Sequence, residues 1–162
     1  MRRRNRNPRC AVNVAVEVLG DSWSLLIVRD IVFYGKHTFR EFLDGAERIT
    51  TSVLSDRLAA LVKEGILDKR RSPTDQRREE YSLTEKGLRL IPVLVELANW
   101  GTDHGPEVIP HPKWVEKATT DPAGLHALVR ETAAADRAAF RGPDSVLDRL
   151  NTGASRTAHR NE

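Results

Sequence analysis

The chain has 162 residues, 40% of them hydrophobic and 30% charged, which is enough for one domain with a buried core and an extension. The single cysteine, Cys10, excludes an internal disulfide and favours a reducing compartment. No apolar run approaches the length of a membrane-spanning helix, and the arginine-rich start lacks the uninterrupted apolar stretch of an export signal, so the sequence predicts a cytoplasmic protein with no membrane partner.

The formal net charge of +3 is unevenly distributed along the chain. Five of the 26 basic residues lie in the first ten positions, which leaves 21 basic against 23 acidic residues in the remainder. Residues 1–9 are predicted to form a flexible basic arm. A second cluster lies at 69–78, where five cations accompany only Asp75. A polyanion would therefore meet two local basic features, the arm and this cluster.

The first two predicted elements are helices. Helical spacing of apolar residues begins near Cys10 and ends at Gly20. Asp21 is then placed to cap a second helix over 22–33, which is apolar nearly all round. A helix of that kind belongs in the centre of a domain.

The next two predicted elements form a helix-turn-helix. Thr38 followed three residues later by Glu41 has the form of a capping box, which predicts a short helix. Thr50 is a good N-cap for a further helix over 50–64, whose leucines form one apolar stripe and which ends at Gly65.

A basic hairpin and a long helix follow. Residues 66–71 and 77–83 are predicted strands around a Ser-Pro-Thr-Asp-Gln turn. Thr84 is predicted to cap a helix over 85–104, with a kink at Pro92 because proline removes a helical hydrogen bond.

The remaining residues form a predicted helical extension. A Gly/Pro-rich connector over 105–112 precedes an amphipathic helix that starts at Asp121 and includes Phe140. Residues 144–150 are predicted to add a turn or two of helix. Residues 151–162 are predicted to be a disordered tail.

The order of helix, turn, helix and basic hairpin favours binding to double-stranded DNA. The outward face of the 50–64 helix is small and polar, which lets a backbone approach base edges, and hairpin cations suit phosphates. The ordinary alternative is a solvent-exposed polar face, with Arg57 bracing a neighbouring helix. The candidate DNA contacts are Thr50, Thr51, Ser52, Ser55, Asp56, Arg57, Arg71, Arg77 and Arg78.

The chain also resembles the HxlR-type winged helix-turn-helix transcriptional regulators. The resemblance covers roughly residues 10–104 in family order and implies a homodimer that binds an operator and represses or activates nearby genes. Residues after 104 lie outside it. The segments that carry it are Cys-Ala-Val at 10–12, Val-Leu-Gly-Asp-Ser-Trp-Ser-Leu-Leu-Ile-Val-Arg-Asp at 18–30, Phe-Arg-Glu-Phe at 39–42, 49–58, 61–66, Tyr-Ser-Leu-Thr-Glu-Lys-Gly at 81–87, Pro-Val-Leu at 92–94 and Trp-Gly at 100–101.

The predicted fold class is therefore mainly α with a small β-hairpin: a winged helix-turn-helix domain over 10–104, with a long dimerisation helix, and a helical C-terminal extension over 105–150. A two-fold dimer would place its reading helices about 34 Å apart and would require an inverted-repeat operator, with repression as the expected effect. The long helix carries more apolar positions than one covering face requires, which also favours a dimer. Alternatively, the C-terminal extension covers these additional apolar positions within one chain. The candidate interface residues are Val12, Val16, Leu94, Leu97 and Trp100.

An effector is expected but not identified by the sequence. Cys10 is a candidate oxidant sensor because nearby arginines favour the thiolate, although a lone cysteine is more often a small buried hydrophobe. A small-molecule pocket between the central and long helices is the other candidate. Asp103, His104 and His111 match no firm ligand pattern, so neither a metal nor a cofactor is expected.

Catalysis is not expected, because the chain contains no phosphate-binding loop and no nucleophile motif. The adjacent Glu79 and Glu80 point to opposite faces of a strand and cannot act as a pair. The alternative function is that of a winged-helix interaction module that does not bind DNA.

Overall fold

The computed structural model describes residues 9–158, with side chains described as far as residue 152. Most of the predicted arm and the last four residues of the predicted tail lie outside this range. Within it the chain is mainly helical with one two-stranded antiparallel hairpin, which confirms the predicted fold class. The elements are α1 Ala11–Leu19, α2 Ser24–Tyr34, α3 Phe39–Leu43, α4 Thr51–Lys63, β1 Leu67–Arg71, β2 Glu79–Leu83, α5 Glu85–Leu88, α6 Ile91–His104, α7 Pro112–Thr120, α8 Pro122–Ala134 and α9 Val146–Ala158.

Helix α2 lies at the centre of the fold, as its all-round apolar sequence predicts. Val28 and Val32 are completely buried. Asp21 Oδ1 accepts hydrogen bonds from the backbone amides of Trp23 and Ser24 at 2.8 and 2.9 Å, as predicted, but the helix begins at Ser24, with Trp23 as its N-cap residue, two residues later than predicted. Helix α1, in contrast, buries none of its residues within the protomer.

The predicted caps of the helix-turn-helix are also confirmed. At the start of α3, the Thr38 side chain and Glu41 form the full capping box. At the start of α4, the Thr50 hydroxyl accepts a hydrogen bond from the Val53 amide at 3.4 Å. Helix α4 ends at Lys63, and the predicted stop, Gly65, follows its C-cap residue Glu64 with a φ of +66°, in the left-handed region that glycine adopts without strain.

The hairpin, residues 67–83, is called the wing from here on. Its register runs from Leu67 opposite Leu83 to Arg71 opposite Glu79, so each strand is slightly shorter than predicted. An isolated bridge between Thr38 and Glu80 attaches the wing to the start of α3. The wing is therefore attached to the helix-turn-helix along β2.

The helix after the wing is interrupted, whereas the sequence predicted a single kinked helix over 85–104. Helix α5 ends at Leu88 and α6 begins at Ile91. Pro92 occupies the first turn of α6, where its missing N–H is harmless, but its ring would clash with the Leu88 carbonyl in a continuous helix. Starting a new helix avoids that clash.

The extension contains more helix than predicted. Helix α7 was not predicted, and α8 begins at its predicted cap, Asp121, but ends before Phe140. Phe140 instead donates its backbone amide to Phe33 at the end of α2, at 3.0 Å. Helix α9 continues to residue 158, so residues 151–158 of the predicted disordered tail are helical; the Ser145 hydroxyl caps this helix by accepting from the Asp148 amide.

The winged domain and the extension share one hydrophobic core. Trp114, Leu125 and Val129 of the extension are buried in the same cluster as the leucines of α4. Among the described helices, none alone is long and apolar enough to cross a membrane; α1 and α2 would qualify only as a pair, and they are bent by 80° relative to each other.

Candidate nucleic-acid interface

Helix α4 has the two-sided character that the sequence predicts. Leu54, Leu58 and Leu61 are buried. On the opposite side Ser52, Asp56, Ala59 and Lys63 are exposed. The period of 3.6 residues per turn separates these two sets, so one polar face of α4 is available to a partner.

The hydroxyl groups at the start of α4 differ in their availability. The Thr50 hydroxyl is used as the helix cap. Within the described residues, Thr51, Ser52 and Ser55 are exposed and their hydroxyls make no hydrogen bond to other protein groups. Together with the first backbone amides of α4, these hydroxyls can donate to base edges or phosphates.

The two charged candidates on α4 have different surroundings. Arg57 pairs with Asp21, with 3.3 Å between Nη1 and Oδ2, so it braces α4 against the α1–α2 junction. Burial would raise the pKa of Asp21, but hydrogen bonds from the Ser24 hydroxyl and the Trp23 and Ser24 amides, together with Arg57, lower it overall. Asp56 is exposed, and its carboxylate suits a base amino group rather than a phosphate.

The wing cations fall into two groups. Lys69 pairs with Glu79 at 2.7 Å, and Arg70 contacts Asp68 at 3.7 Å and the Ser82 hydroxyl at 2.8 Å. The predicted phosphate contacts form the other group. Over the part of the chain that the structure describes, the exposed side chains of Arg71, Arg77 and Arg78 form no ion pair within 4 Å.

One candidate, Arg48, was missed by the sequence reasoning. It is exposed, two residues before the Thr50 cap, and has a φ of +54°, which is unusual for a residue with a side chain. Its neighbour Glu47 accepts a hydrogen bond from Arg29 of α2 at 2.6 Å, which anchors this loop. A cation just before a helix N-terminus was a signal that could have been noticed in the sequence.

The candidate interface residues separate into exposed and buried ones. Val12 is 71% exposed and Trp100 64%, and Val16 and Leu97 are also exposed. Leu94 is only 5% exposed, so its placement at an interface was wrong. The helical period explains this, because Leu94 lies on the same side of α6 as the buried Ile91 and Val95. Val14 of α1 and Val93 of α6 are also exposed apolar residues.

The candidate sensor Cys10 and the histidines considered for metal binding lie in separate places. Cys10 is exposed immediately before α1. In residues 9–158 there is no group of three or more His, Cys, Asp or Glu residues that could hold a metal ion. His104 packs its ring edge against Trp100, with the centroids 4.9 Å apart, while His111 lies at the start of α7.

Comparisons of sequence assign the winged domain to a known group. The family model for an HxlR-like helix-turn-helix matches residues 18–108, more than half of the chain. The uncharacterized HTH-type transcriptional regulator Rv3095 of Mycobacterium tuberculosis is 36% identical over 96 residues, which cover 59% of this chain and only 60% of Rv3095. The uncharacterized HTH-type transcriptional regulator YvaP of Bacillus subtilis is 37% identical over 89 residues, covering 55% of this chain and 82% of YvaP.

Comparisons of structure agree. PA1607, described as a proposed transcription factor, superposes with a TM-score of 0.59 and 34% identity, covering 65% of this chain and 73% of that one. The redox regulator HypR in its oxidized form superposes with a TM-score of 0.54 and 29% identity, covering 59% of this chain and 97% of HypR. The helix-turn-helix, the wing and these similarities together show that the chain belongs to the HxlR-like helix-turn-helix family of transcriptional regulators.

Proposed function

We propose that the protein is a homodimeric repressor that binds an inverted-repeat DNA operator in the cytoplasm. Helix α4 enters the major groove and the wing contacts phosphates. The observation that carries this proposal is the exposed polar face on α4 combined with three wing arginines that form no ion pair within 4 Å among residues 9–158, although Arg78 lies near enough to Glu41 to lower the pKa of that carboxyl. Repression is the expected effect because a dimer that covers promoter DNA excludes other proteins from it.

The residues proposed to read sequence are small. Ser52 and Ser55 allow the α4 backbone to approach base edges, and each hydroxyl both donates and accepts hydrogen bonds. Asp56 on the same face can accept from a cytosine amino group but is repelled by phosphates. This combination favours base contacts over backbone contacts for the exposed face of α4.

The dimer is supported by apolar surface that the protomer leaves uncovered. Helix α1 buries no residue, and its Val12 is largely exposed. Trp100 on α6 is likewise exposed, although burying a tryptophan side chain would contribute a large favourable free energy. The extension packs elsewhere and does not cover either residue. A second copy of the chain is the proposed cover.

DNA binding can be tested through its salt dependence. After an operator has been selected from random duplexes, its affinity is measured at several salt concentrations for wild type, Arg77→Ala and Arg78→Ala. Because each phosphate contact releases counterions, each substitution should reduce the slope of the logarithm of affinity against the logarithm of salt concentration by about 1. Lys69→Ala is the matched control, since Lys69 is already paired with Glu79, and it should change the slope less.

An unchanged slope in both arginine variants would remove the wing from the phosphate role. A wild-type protein that shows no salt-dependent retention on DNA would favour an interaction module instead.

Dimerisation is tested by sedimentation. Wild type should be a dimer at micromolar concentration, and Trp100→Asp should be a monomer, because a buried unpaired carboxylate is costly at an interface. Val115→Asp on α7 is the control, being an exposed apolar residue outside α1 and α6. A monomeric wild type, or a Trp100→Asp variant that still dimerises, would contradict the proposed interface.

We also propose Cys10 as an oxidant-responsive residue. It is exposed at the start of α1, next to the proposed dimer contact, and the similar protein HypR is described as a redox regulator. Hydrogen peroxide would convert the thiolate to a sulfenic acid, and a second thiol, from the partner protomer or a small molecule, would displace water to form a disulfide. Peroxide should then alter operator affinity in wild type and leave Cys10→Ser unchanged; an equal response in both would exclude the role.

A further inference from the structure

A cavity lies where α2 and α6 meet the C-terminal extension. Its volume is about 530 Å³, which falls within the range of small-molecule sites. Residues of α6 form one wall, the 105–111 connector another, and the extension closes the far side. Four aromatic side chains line it: Phe33, Tyr34, Trp114 and Phe140.

The aromatic walls are arranged as a receptor for another ring. Phe33 and Phe140 are stacked with centroids 4.6 Å apart, and Trp114 meets Phe140 edge-on at 5.1 Å. The Trp114 indole N–H is already satisfied by Asn99 at 3.0 Å, so the ring offers apolar surface. A flat aromatic molecule can extend these stacked and edge-on contacts.

One polar group in the lining has no partner. His111 lines the cavity, and its Nδ1 is buried yet forms no hydrogen bond to any group among residues 9–158. A buried polar nitrogen without a partner is rare in folded proteins, because burial removes its bonds to water. Rotation of the ring about its Cβ–Cγ bond would turn Nδ1 toward the cavity, where a hydroxyl group complements either tautomer, since it both donates and accepts.

The charge at the cavity wall favours a neutral ligand. Arg29 is the only Lys, Arg, Asp or Glu residue among the described residues that line the cavity, and its guanidinium is paired with Asp30 and Glu47, each at 2.6 Å. An anionic ligand would have to compete with both carboxylates. A neutral molecule leaves the pairs intact.

From these contacts we infer that the cavity binds a small neutral aromatic alcohol, with its ring against the aromatic side chains that line the cavity and its hydroxyl on His111. The site is built partly from the extension, which lies beyond the residues matched by the family model. Its proposed role as an effector site rests on the function proposed above, whereas binding itself does not.

The cavity also has a physical connection to the DNA-reading helix. Arg29 lines the cavity and holds Glu47, which immediately precedes Arg48 and lies three residues before the Thr50 cap of α4. A ligand that packs against the Arg29 side chain, with both ion pairs intact, would therefore restrain the loop that positions α4. By linkage, the ligand and the operator would change each other's affinity by the same factor.

Binding is tested on the full chain without DNA, by calorimetric titration with 2-naphthol. Wild type should bind one molecule per protomer. Gly101→Phe should abolish binding, because Gly101 lines the cavity and an added Cβ meets no atom within 4 Å. Gly101→Ala is the matched control and should retain the affinity within about twofold, since a methyl group leaves most of the volume open.

The hydrogen bond is tested separately with His111→Phe, which keeps a ring of similar size. This variant should bind 2-naphthol about tenfold more weakly and lose the preference of wild type for 2-naphthol over naphthalene. Thermal unfolding and sedimentation of each variant check that the fold and the oligomeric state are retained. The site would be overturned if wild type showed no saturable binding of 2-naphthol, including the case in which a second copy of the chain fills the cavity. Unchanged binding by both Gly101→Phe and His111→Phe would also overturn it.

Coupling is measured as operator affinity with and without saturating 2-naphthol. Wild type should show a shift, and Glu47→Gln should bind 2-naphthol normally but show a smaller shift. If 2-naphthol binds and operator affinity stays constant, the effector role is excluded while the binding site stands. Failure of operator binding without 2-naphthol would instead contradict the proposed function.

Discussion

The loop before α4 is held in a strained conformation by its neighbours. Arg48 has a φ of +54°, and the left-handed region costs a residue with a side chain about 1 kcal/mol. The ion pair between Arg29 and Glu47 fixes the preceding residue. Strain of this kind is commonly found at functional positions, where the surrounding structure maintains it. Here it presents a cation beside the N-terminus of the proposed reading helix.

Replacing Arg48 separates stability from DNA binding. Arg48→Gly should leave the free energy of unfolding unchanged or raise it by up to about 1 kcal/mol, because glycine adopts a positive φ without strain. The same change should weaken binding to all duplexes and flatten the salt slope, because one cation is lost. Denaturant unfolding and salt-dependent binding measure the two effects. A variant that is markedly less stable, or that binds DNA normally, would refute this account.

Alanine substitutions of the hydroxyl residues at the start of α4 should have different effects on stability and on DNA binding. Thr50→Ala should lower the free energy of unfolding by about 1 kcal/mol, because the helix cap is lost. Ser52→Ala and Ser55→Ala should leave stability nearly unchanged and reduce discrimination between operator and random duplexes. Competition binding with both duplexes gives the ratio of the affinity for operator to the affinity for random DNA. A uniform loss of affinity for operator and random DNA would show that the serines do not read sequence.

At the scale of the elements, Asp21 joins three helices. It caps α2, follows α1 and pairs with Arg57 of α4. Its folded-state pKa is lowered below the ordinary value of 3.8, so it contributes stability above pH 3.8 that is lost as the pH falls through the folded pKa. Asp21→Asn should therefore be less stable than wild type at neutral pH and should lose less stability on acidification.

Unfolding by denaturant between pH 2 and pH 7, about the range over which carboxylates titrate, tests this expectation. The control is Asp103→Asn, because Asp103 is exposed and its carboxylate forms no hydrogen bond or ion pair with the described residues. Parallel acid profiles for Asp21→Asn and wild type would show that Asp21 does not stabilise the junction.

Two glycines on neighbouring helices should respond in opposite ways to alanine. A Cβ at Gly87 in α5 would lie 2.3 Å from the Ile66 carbonyl oxygen, so α5 must approach the start of β1 closely. Gly87→Ala should lower the free energy of unfolding by about 1–3 kcal/mol because of this clash. A Cβ at Gly101 in α6 meets no atom within 4 Å, and Gly101→Ala should raise stability by up to about 1 kcal/mol. Equal melting temperatures for both variants would show that the close approach is not rigid.

The features that were predictable from sequence are those set by local chemistry. The Thr38–Glu41 capping box and the Thr50 cap follow from side-chain and backbone groups only three residues apart. The polar face of α4 follows from the helical period. These interactions need no knowledge of distant residues, and the structure contains each of them.

The features that sequence did not reveal depend on tertiary contacts. The pairing of Lys69 with Glu79 requires the register of the wing, which separates the available cations from the neutralised ones. The burial of Leu94 requires knowing which side of α6 meets the core. The cavity requires the position of Trp114 on α7, a helix that was not predicted. In each case residues far apart in sequence determine the environment.

At the scale of the whole molecule, the extension completes the core of the winged domain. The backbone amides of Ala139 and Phe140 donate to the carbonyls of Val32 and Phe33 at the end of α2, at 2.8 and 3.0 Å. Trp114 is buried against the same end of α2, meeting Phe33 edge-on at 5.9 Å. The central helix is therefore covered partly by residues that lie beyond the family match. The two parts are expected to unfold as one cooperative unit.

Trp114→Ala tests this cooperativity without removing any segment. Truncation of a buried tryptophan should lower the free energy of unfolding by about 3–5 kcal/mol, through lost burial and a cavity. In a single cooperative unit, amide hydrogen exchange should then accelerate equally at Leu58 in α4 and at Val129 in α8, because both exchange through the same global opening. Exposed Trp100→Ala is the matched control and should leave the exchange of the isolated protomer nearly unchanged. Faster exchange at Val129 with full protection at Leu58 would show instead that the extension opens independently of the winged domain. A ligand bound in the cavity between them would then not be rigidly connected to helix α4.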